Sequence, residues 1–412
     1  MKLLILTTVY PRGLKELPGN KVHGKFVRDL AKAWVTKGYE VHVLTPHSTQ
    51  TYSFERLDGI YVHRFHYFFR EQWETLTYGD GIPQNIRYFK NKLLVPCFVF
   101  AFILQALHLI RKYKISVVNA HWAVPTGLIA LWLKYFTKVK VVTTIYGAEL
   151  FPVIAGRMQF LKSFLKHSIN QADIAVGISQ TTVEMARQVS KRDDIYVLPD
   201  GIDVEYYQPG AKNKDLLQKY HVEDKLMIFF TGRMVERKGH HHLLEAMCHV
   251  SEVCPDTKLI LGGKGPFFEK LVALQKDWNL QDKVELPGFI PEEEMVPLLQ
   301  SADLFVLPSC IDRNGDTEGS ATAALEAMAC GTPAIIGRVG GNIGAVEDGC
   351  GAFYFESGNV SDLAEKILGL LKNPELLIQN KAEARKYVVY HYTWSKIVET
   401  YIDLLVAKEY SP

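Results

Sequence analysis

Leu226-Met227-Ile228-Phe229-Phe230-Thr231, followed at once by Gly232-Arg233-Met234-Val235-Glu236-Arg237-Lys238-Gly239 and a helical stretch from His240, decides the fold. Six mostly apolar residues bounded by glycine read as a strand buried on both faces. The same strand, turn and helix grammar continues at Lys258–Leu261, Val284–Pro287, Leu304–Leu307 and Ala334–Ile336. Upstream it runs through Lys2–Thr8, a helix near Phe26–Lys37, then Val41–Leu44, Val117–Ala120, Val139–Ile145 and Ile174–Ile178. Strands alternating with helices predict parallel sheets covered on both faces. The pattern is therefore α/β, with two doubly wound, Rossmann-like sheets in series. Leu198–Gly210 (LPDGIDVEYYQPG), rich in Pro, Gly and Asp, reads as the linker, which sets the predicted domains at residues 1–197 and 198–389.

Length agrees, since 412 residues exceed the ~250–300 at which single cores stop growing. With 48% hydrophobic, 11% aromatic and 22% charged residues, a disordered, collagenous or low-complexity chain is excluded. The formal charge of +2 hides a split: 26 Lys and Arg against 14 Asp and Glu in residues 1–200, but 21 against 31 in 201–412. The basic first part favours an anionic partner. Six cysteines (Cys97, Cys248, Cys254, Cys310, Cys330, Cys350) form no CxxC pair and no zinc-like grouping with His, so a reducing compartment is expected, without a metal knuckle or disulfide framework. MKLLILTTVYPRG at the start has no A-x-A-like cleavage site and reads as a first strand rather than a signal peptide.

Leu93–Ile110 is eighteen mostly apolar residues, the lower end of membrane-spanning length, but it contains Gln105 and His108, with Pro96 near its start. A buried helix packed on a sheet is expected. The alternative is a monotopic membrane contact, because Arg111, Lys112 and Lys114 follow and the aromatic-basic His63–Trp73 (HRFHYFFREQW) precedes. That segment suits a lipid headgroup layer and also suits a half-buried strand and loop.

In open α/β sheets a ligand sits beyond the carboxyl ends of the strands, where helix N-termini offer free N–H groups to anions. Arg233 and Lys238, five residues apart after the strand ending at Thr231, can both reach one diphosphate, the first as a fork and the second as a point charge. A solvated basic loop would show the same spacing. Gly262-Gly263-Lys264-Gly265-Pro266 follows the next strand; it matches neither the Walker pattern nor, with the first strand, a GxGxxG nicotinamide fingerprint. After Leu304–Leu307 come Pro308-Ser309-Cys310, a polar loop, and Glu318-Gly319-Ser320-Ala321-Thr322-Ala323-Ala324-Leu325-Glu326, then a Gly331-Thr332-Pro333 stop. This predicts a helix of about three turns with its N-terminus at the ligand. Two carboxylates eight positions apart on it would be ~12 Å apart at ~1.5 Å per residue, close to the span from a sugar ring to the ribose of its nucleotide diphosphate. A capping Glu and a solvent-facing Glu would show the same spacing, but Arg233, Lys238 and the Gly262–Gly265 turn at neighbouring strand ends favour a ligand.

With these residues in view the chain resembles a family 4 glycosyltransferase, retaining and of the GT-B fold, nearly end to end. The resemblance rests on Tyr10-Pro11-Arg12-Gly13 with Gly24-Lys25-Phe26-Val27, His121-Trp122 with Pro125-x-Gly127, and VLPDGID at Val197–Asp203. It continues in GRMVERKG, the Gly-rich turn, LPGFIP at Leu286–Pro291, the paired-Glu helix, and VGG…EDG at Val339–Gly349. It implies two Rossmann-like domains facing each other across a cleft, the acceptor bound mainly by the N-terminal one and the donor by the C-terminal one, with a final helix at about 390–412 crossing back. The implied reaction moves a sugar from a UDP- or GDP-linked donor to a lipid-linked or cell-surface glycan. The basic first half, His63–Trp73 and Leu93–Ile110 add the expectation that it runs at the cytoplasmic face of an anionic membrane; no cofactor, no metal and no nucleic acid are expected.

Carried over by motif, Arg233 and Lys238 would neutralise the departing diphosphate, Glu318 would orient the donor sugar, and Glu326 would bind the ribose. Backbone at Phe289 and Ile290 would hold the base. Amides near Gly319, Ser320, Ala321 and Thr322, with Gly232, Gly262 and Gly263, would hold the phosphates. Gly24 would leave room for substrates, and His121, Tyr146 and Glu149 would lie near the sugar or acceptor. The resemblance assigns no carboxylate nucleophile of the retaining-hydrolase kind. In two places the sequence departs from the family: Tyr146 stands where a His commonly contacts the donor sugar, and Gly344 where many relatives have Glu. Competing expectations are a phosphorylase or disaccharide synthase with a soluble acceptor, and a nucleotide-sugar-binding protein without turnover.

Overall fold

A computed structural model describes residues 1–11, 24–48, 51–77 and 82–408. Arg12 and Gly13 of the early motif, and residues 409–412 at the end of the last predicted helix, lie outside them. The chain forms two compact units, one of Met1–Ile178, Thr182–Gly201 and Trp394–Pro412, the other of Ser179–Thr181 and Ile202–Thr393.

The first unit is built on eight strands: β1 Lys2–Leu6, β2 Glu40–Pro46, β3 Phe54–Leu57, β4 Ile60–Phe65, β5 Val117–His121, β6 Lys140–Ile145, β7 Ile174–Gly177 and β8 Ile195–Val197. Their order is β3-β4-β2-β1-β5-β6-β7-β8, parallel except for the β3–β4 hairpin. Both faces of the sheet are covered, because successive side chains of a strand point to opposite sides. Leu3 and Ile5 of β1 pack with Trp34, Trp394, Val398 and Tyr401; Leu4 and Leu6 pack with Phe98, Phe102 and Leu109. The closing helix Trp394–Ala407 thus belongs to this unit's core.

The second unit has six parallel strands, β9 Leu226–Thr231, β10 Thr257–Gly262, β11 Val284–Gly288, β12 Leu304–Leu307, β13 Ala334–Gly337 and β14 Ala352–Phe355, ordered β11-β10-β9-β12-β13-β14. Both sheets reverse their order beside their first strand, between β1 and β5 and between β9 and β12, which makes each a doubly wound sheet with a topological switch point. Every strand expected from the apolar runs is present. The runs did not reveal β3, β4, β8 and β14; β4 is met only in the reading of His63–Trp73 as a half-buried strand and loop.

Two helices differ from expectation. Leu93–Ile110 lies within a longer helix, Phe89–Tyr113, with only one face buried. Leu94, Phe98, Phe102 and Ala106 pack on the sheet, whereas Leu93, Phe100 and Leu104 are 63%, 65% and 51% exposed. The helix is apolar nearly all round, so periodicity could not show that one side lacks a partner. The paired-Glu helix is shorter than predicted, Thr322–Ala329, about two turns at 3.6 residues each. Glu318 sits on the loop before it, so the ~12 Å helical rise does not describe its separation from Glu326. Gly319 and Ser320 lack the propensity to extend the helix backwards.

Candidate functional site

In the second unit, the ends of β9 and β12 meet at the switch point. After β9 the chain makes a short 3-10 turn, Glu236–Lys238, ended by Gly239. This turn delivers Lys238 to Glu318, with Nζ 2.9 Å from Oε1 and 3.0 Å from Oε2. Ser309, just beyond β12, donates its hydroxyl to Oε1 at 3.2 Å. Glu318 is 5% exposed, and a carboxylate so withdrawn from water needs charge and hydrogen bonds around it. Arg237 adds to this: its Nη1 lies 3.5 Å from Glu318 Oε1 and donates to the Thr317 carbonyl. Arg233 is exposed and forms no ion pair among the described residues. Lys238 and Glu318 are therefore brought into contact, and Arg233 is left reaching into solvent.

The Gly-rich turn is packed for a different reason than ligand approach. A Cβ on Gly263, whose φ is +140°, would lie 1.9 Å from the Gly232 carbonyl oxygen, so glycine here lets the loops after β9 and β10 lie backbone against backbone. Gly262 sits against Ile290, which is 3% exposed. Phe289 is half-buried with the Lys264 ammonium 5.2 Å from its ring centre. At the start of the helix Thr322–Ala329, Ala321 offers no side-chain cap, and the Ser320 and Thr322 hydroxyls lie 2.8 Å apart. Of the first N–H groups of this helix, which lack the usual intrahelical acceptor, that of Ala324 already donates to the Ala321 carbonyl. Glu326, at the middle of that helix, is half-buried and is hydrogen-bonded by Tyr207, whose phenol burial and this carboxylate push up.

In the first unit, the ends of β1, β5 and β6 gather Gly24, Phe26, His121, Trp122, Tyr146 and Glu149. Gly24, with φ +79°, precedes the helix Lys25–Thr36; a Cβ there would lie 2.7 Å from the Val9 carbonyl oxygen, so it allows the chain after β1 to pass close by. The Phe26 and Tyr146 rings are 5.1 Å apart and those of Trp122 and Tyr146 5.0 Å. Trp122 holds a positive φ of 74°, fixed by the Thr126 hydroxyl on its carbonyl; strain of about 1–3 kcal/mol at a non-glycine residue is typical of functional sites. His121 is fully buried, and desolvation holds its imidazole down at about 3, so it is neutral at physiological pH. Its Nδ1 lies 2.7 Å from the Tyr146 hydroxyl. Tyr146, the departure from the family's His, thus has its phenol engaged with His121. Glu149 Oε1 accepts from the Ala123 and Tyr146 amides; burial raises this carboxyl above its ordinary value.

Residues not singled out from sequence are Arg237, Ser309, Tyr207, Phe26, Trp122 and Asp200. Arg237 differs from its neighbours Arg233 and Lys238 only through the 3-10 turn, which sequence spacing does not show. Asp200, within VLPDGID, is pushed up to about 7, chiefly by burial and then by Asp29. An acid raised in the folded state binds its proton more tightly there than in the unfolded chain, so stability is full below the unfolded value near 3.8 and is lost as pH rises towards 7. The slope is at most ~1.4 kcal/mol per pH unit. Asp200→Asn, which stays uncharged, is therefore expected to be more stable than wild type at pH 8, with the difference closing towards pH 4 in urea titrations. A difference independent of pH would show that Asp200 does not titrate in this window.

The fold is of the GT-B type, and the family models and relatives mark the chain as a glycosyltransferase. Residues 23–206 match the model described as Glycosyltransferase Family 4, and residues 212–387 the model described as Glycosyl transferases group 1. Between them these take in most of the chain, which belongs with the family 4, group 1 glycosyltransferases. N-acetyl-alpha-D-glucosaminyl L-malate synthase of Bacillus anthracis is 26% identical over 97% of this chain and 96% of its own length. The GDP-mannose-dependent monoacylated alpha-(1-6)-phosphatidylinositol monomannoside mannosyltransferase of Corynebacterium glutamicum is 28% identical, covering 81% and 86%. The crystal structure of Anabaena Alr3699/HepE in complex with UDP superposes with a TM-score of 0.74 at 18% identity, over 99% of this chain and 100% of that one.

Proposed function

We propose that this glycosyltransferase moves a sugar from a UDP- or GDP-linked donor, with retention of anomeric configuration, to a lipid-linked or cell-surface glycan at the cytoplasmic face of an anionic membrane. The observation that carries the donor half is Lys238 held on a buried Glu318 at the β9–β12 switch point, beside the start of the helix Thr322–Ala329. Arg233 and Lys238 then neutralise the leaving diphosphate, a role that a divalent ion fills elsewhere. Glu318 orients the sugar and Glu326 the ribose. Phosphates lie at Gly319–Thr322, and the base lies at Phe289–Ile290. The acceptor binds the first unit near Gly24, Tyr146 and Glu149. As the acceptor oxygen bonds to the anomeric carbon, the bond from that carbon to phosphate breaks, and the acceptor proton passes to the departing phosphate oxygen. No protein base is required, which fits a neutral, buried His121 and a Tyr146 already bonded to it.

The membrane half rests on the helix Phe89–Tyr113. Leu93, Cys97, Phe100 and Leu104 form one exposed stripe, and the helix Leu128–Phe136 beside it exposes Trp132, Tyr135 and Phe136. Arg111, Lys112, Lys114 and Lys138 lie at the ends of these helices and are exposed, the combination that binds an anionic interface. Phe100→Glu combined with Leu104→Glu is expected to abolish sedimentation with phosphatidylglycerol vesicles at low salt while leaving turnover of a water-soluble acceptor intact. Wild-type protein that ignores such vesicles would rule out the membrane site. A soluble acceptor is the second reading, favoured by the full-length match to the N-acetyl-alpha-D-glucosaminyl L-malate synthase. A thermal-shift panel of UDP, GDP, ADP and dTDP and their sugar conjugates tests the donor, since binding stabilises by RT ln(1 + [L]/Kd). No shift with any nucleotide would favour a protein without turnover.

A further inference from the structure

We infer that His47, His66 and Glu74 of the first unit form a binding site for a divalent transition ion of the zinc type, with Glu71 as its fourth ligand. His47 follows β2 and His66 follows β4. These strands are parallel neighbours with Pro46 opposite Phe65, so the two imidazoles leave the sheet side by side, ring centres 3.9 Å apart. Glu74 comes from the turn after Glu71–Trp73. One ligand atom from each of the three lies within 4.8 Å of the others.

Hydrogen bonding leaves one inner atom of this cluster, His47 Nδ1, without a partner, while His66 Nδ1 in its neutral form can donate to Glu74 Oε2, a proton that a metal would displace. Glu74 is 1% exposed, and its Oε1 accepts from the Tyr67 and Phe68 amides, so Oε2 is the face turned to the histidines. It lies 3.2 Å from His66 Nδ1 and 3.6 Å from His47 Nδ1. His47 is 5% exposed, and its Nε2 lies 3.0 Å from the Thr51 carbonyl. That carbonyl can only accept, so the ring proton sits on Nε2 and the neutral tautomer turns a bare Nδ1 lone pair inward. His47 Nδ1 has no hydrogen-bond partner, yet Glu71 Oε1 is 3.7 Å away and Glu74 Oε2 is on its other side. A lone pair buried against two carboxylate oxygens is repulsive unless a cation sits among them.

A metal fits these distances. Bonds of ~2.0–2.1 Å to nitrogen and oxygen in a tetrahedron place ligand atoms roughly 3.3 Å apart. The N–H to backbone carbonyl bond of His47 is the support that fixes the ring of a metal-bound histidine; His66 has a weaker counterpart, with Nε2 3.4 Å from the Ser53 hydroxyl. Two imidazoles with carboxylates select zinc and its late first-row neighbours over magnesium or calcium, which take oxygen donors. The ion would clasp the ends of β2 and β4 to the Phe68–Trp73 turn, where the two terminal rings stack at 5.5 Å. The ligands are 19 and eight positions apart in sequence and match no ligand-spacing motif, which is why the chain does not announce them.

The test uses untagged full-length protein stripped with EDTA, reloaded with zinc alone, dialysed, and measured for bound metal, with cobalt substitution read by its tetrahedral absorption bands. One equivalent per chain and a raised unfolding temperature are expected. His66 has a half-exposed side chain, so His66→Ala is expected to fold normally while binding zinc more weakly by at least the ~10–100-fold that loss of even a supporting partner costs. Glu71→Gln should weaken binding in the same direction, and His391→Ala, exposed and remote in sequence, should not change it. Wild-type protein that retains no zinc, or zinc binding equal in wild type and His66→Ala, would overturn the site.

Discussion

Lys238→Ala is expected to lower kcat by about 10²–10³-fold, the loss that follows removal of one preorganised group facing transition-state charge. The geometry supplies a rival explanation that must be separated from this one. Lys238 neutralises Glu318, which is 5% exposed, and stripping the partner from a buried charge is itself destabilising by about 3–5 kcal/mol in unfavourable cases. Here the loss should be smaller, because Arg237 and Ser309 still serve the carboxylate. The double variant Lys238→Ala, Glu318→Gln removes the stranded charge. Its urea midpoint is expected to recover while its turnover does not. Recovery of turnover as well would reduce Lys238 to a counter-ion for Glu318. Arg233→Ala gives the cleaner comparison, since Arg233 is exposed and holds no ion pair among the described residues: kcat should fall with the folding midpoint unchanged.

The fold was legible because both sheets are buried on both faces, which forces continuous apolar runs such as Leu226–Thr231 and Val139–Ile145 that no other element explains as well. Glycine after runs such as Leu226–Thr231 and Lys258–Leu261 then marked the strand ends at which a ligand is expected. What could not be seen depends on where loops return in space. The Lys238–Glu318 pair spans 80 positions, and its formation depends on a 3-10 turn and on the end of β12 rather than on either residue's neighbours. The paired-Glu helix was misjudged at its start for a local reason. Gly319 and Ser320 are poor helix formers, and the Gly341 amide, donating to the Glu318 carbonyl at 2.8 Å, holds that loop in a non-helical course. The exposed stripe on Phe89–Tyr113 was hidden because an apolar composition looks the same whether a face packs on the sheet or is left uncovered. Tyr146 was visible as a departure, but its bond to His121 needed the adjacency of β5 and β6.

Glu326→Ala is expected to weaken binding of the free nucleoside diphosphate by about 10–100-fold, as loss of charge-assisted hydrogen bonds worth ~1.5–3 kcal/mol requires. Because the role assigned to Glu326 is with the ribose, the loss should be the same for the nucleotide with and without its sugar; a loss seen only with the sugar conjugate would move Glu326 to the sugar. Tyr207 complicates the measurement, since it hydrogen-bonds the same carboxylate and the variant leaves its buried phenol without that acceptor. Tyr207→Phe resolves this. If Tyr207 only holds Glu326 in position, Tyr207→Phe weakens nucleotide binding slightly, and Tyr207→Phe with Glu326→Ala binds no worse than Glu326→Ala alone, the non-additivity expected of two residues in contact. If the two losses add, Tyr207 reaches the nucleotide independently, and the ribose site contains a phenol as well as a carboxylate. Calorimetric titration of the nucleotide selected in the thermal-shift panel distinguishes the two, and unchanged affinity in Glu326→Ala would remove it from the donor site altogether.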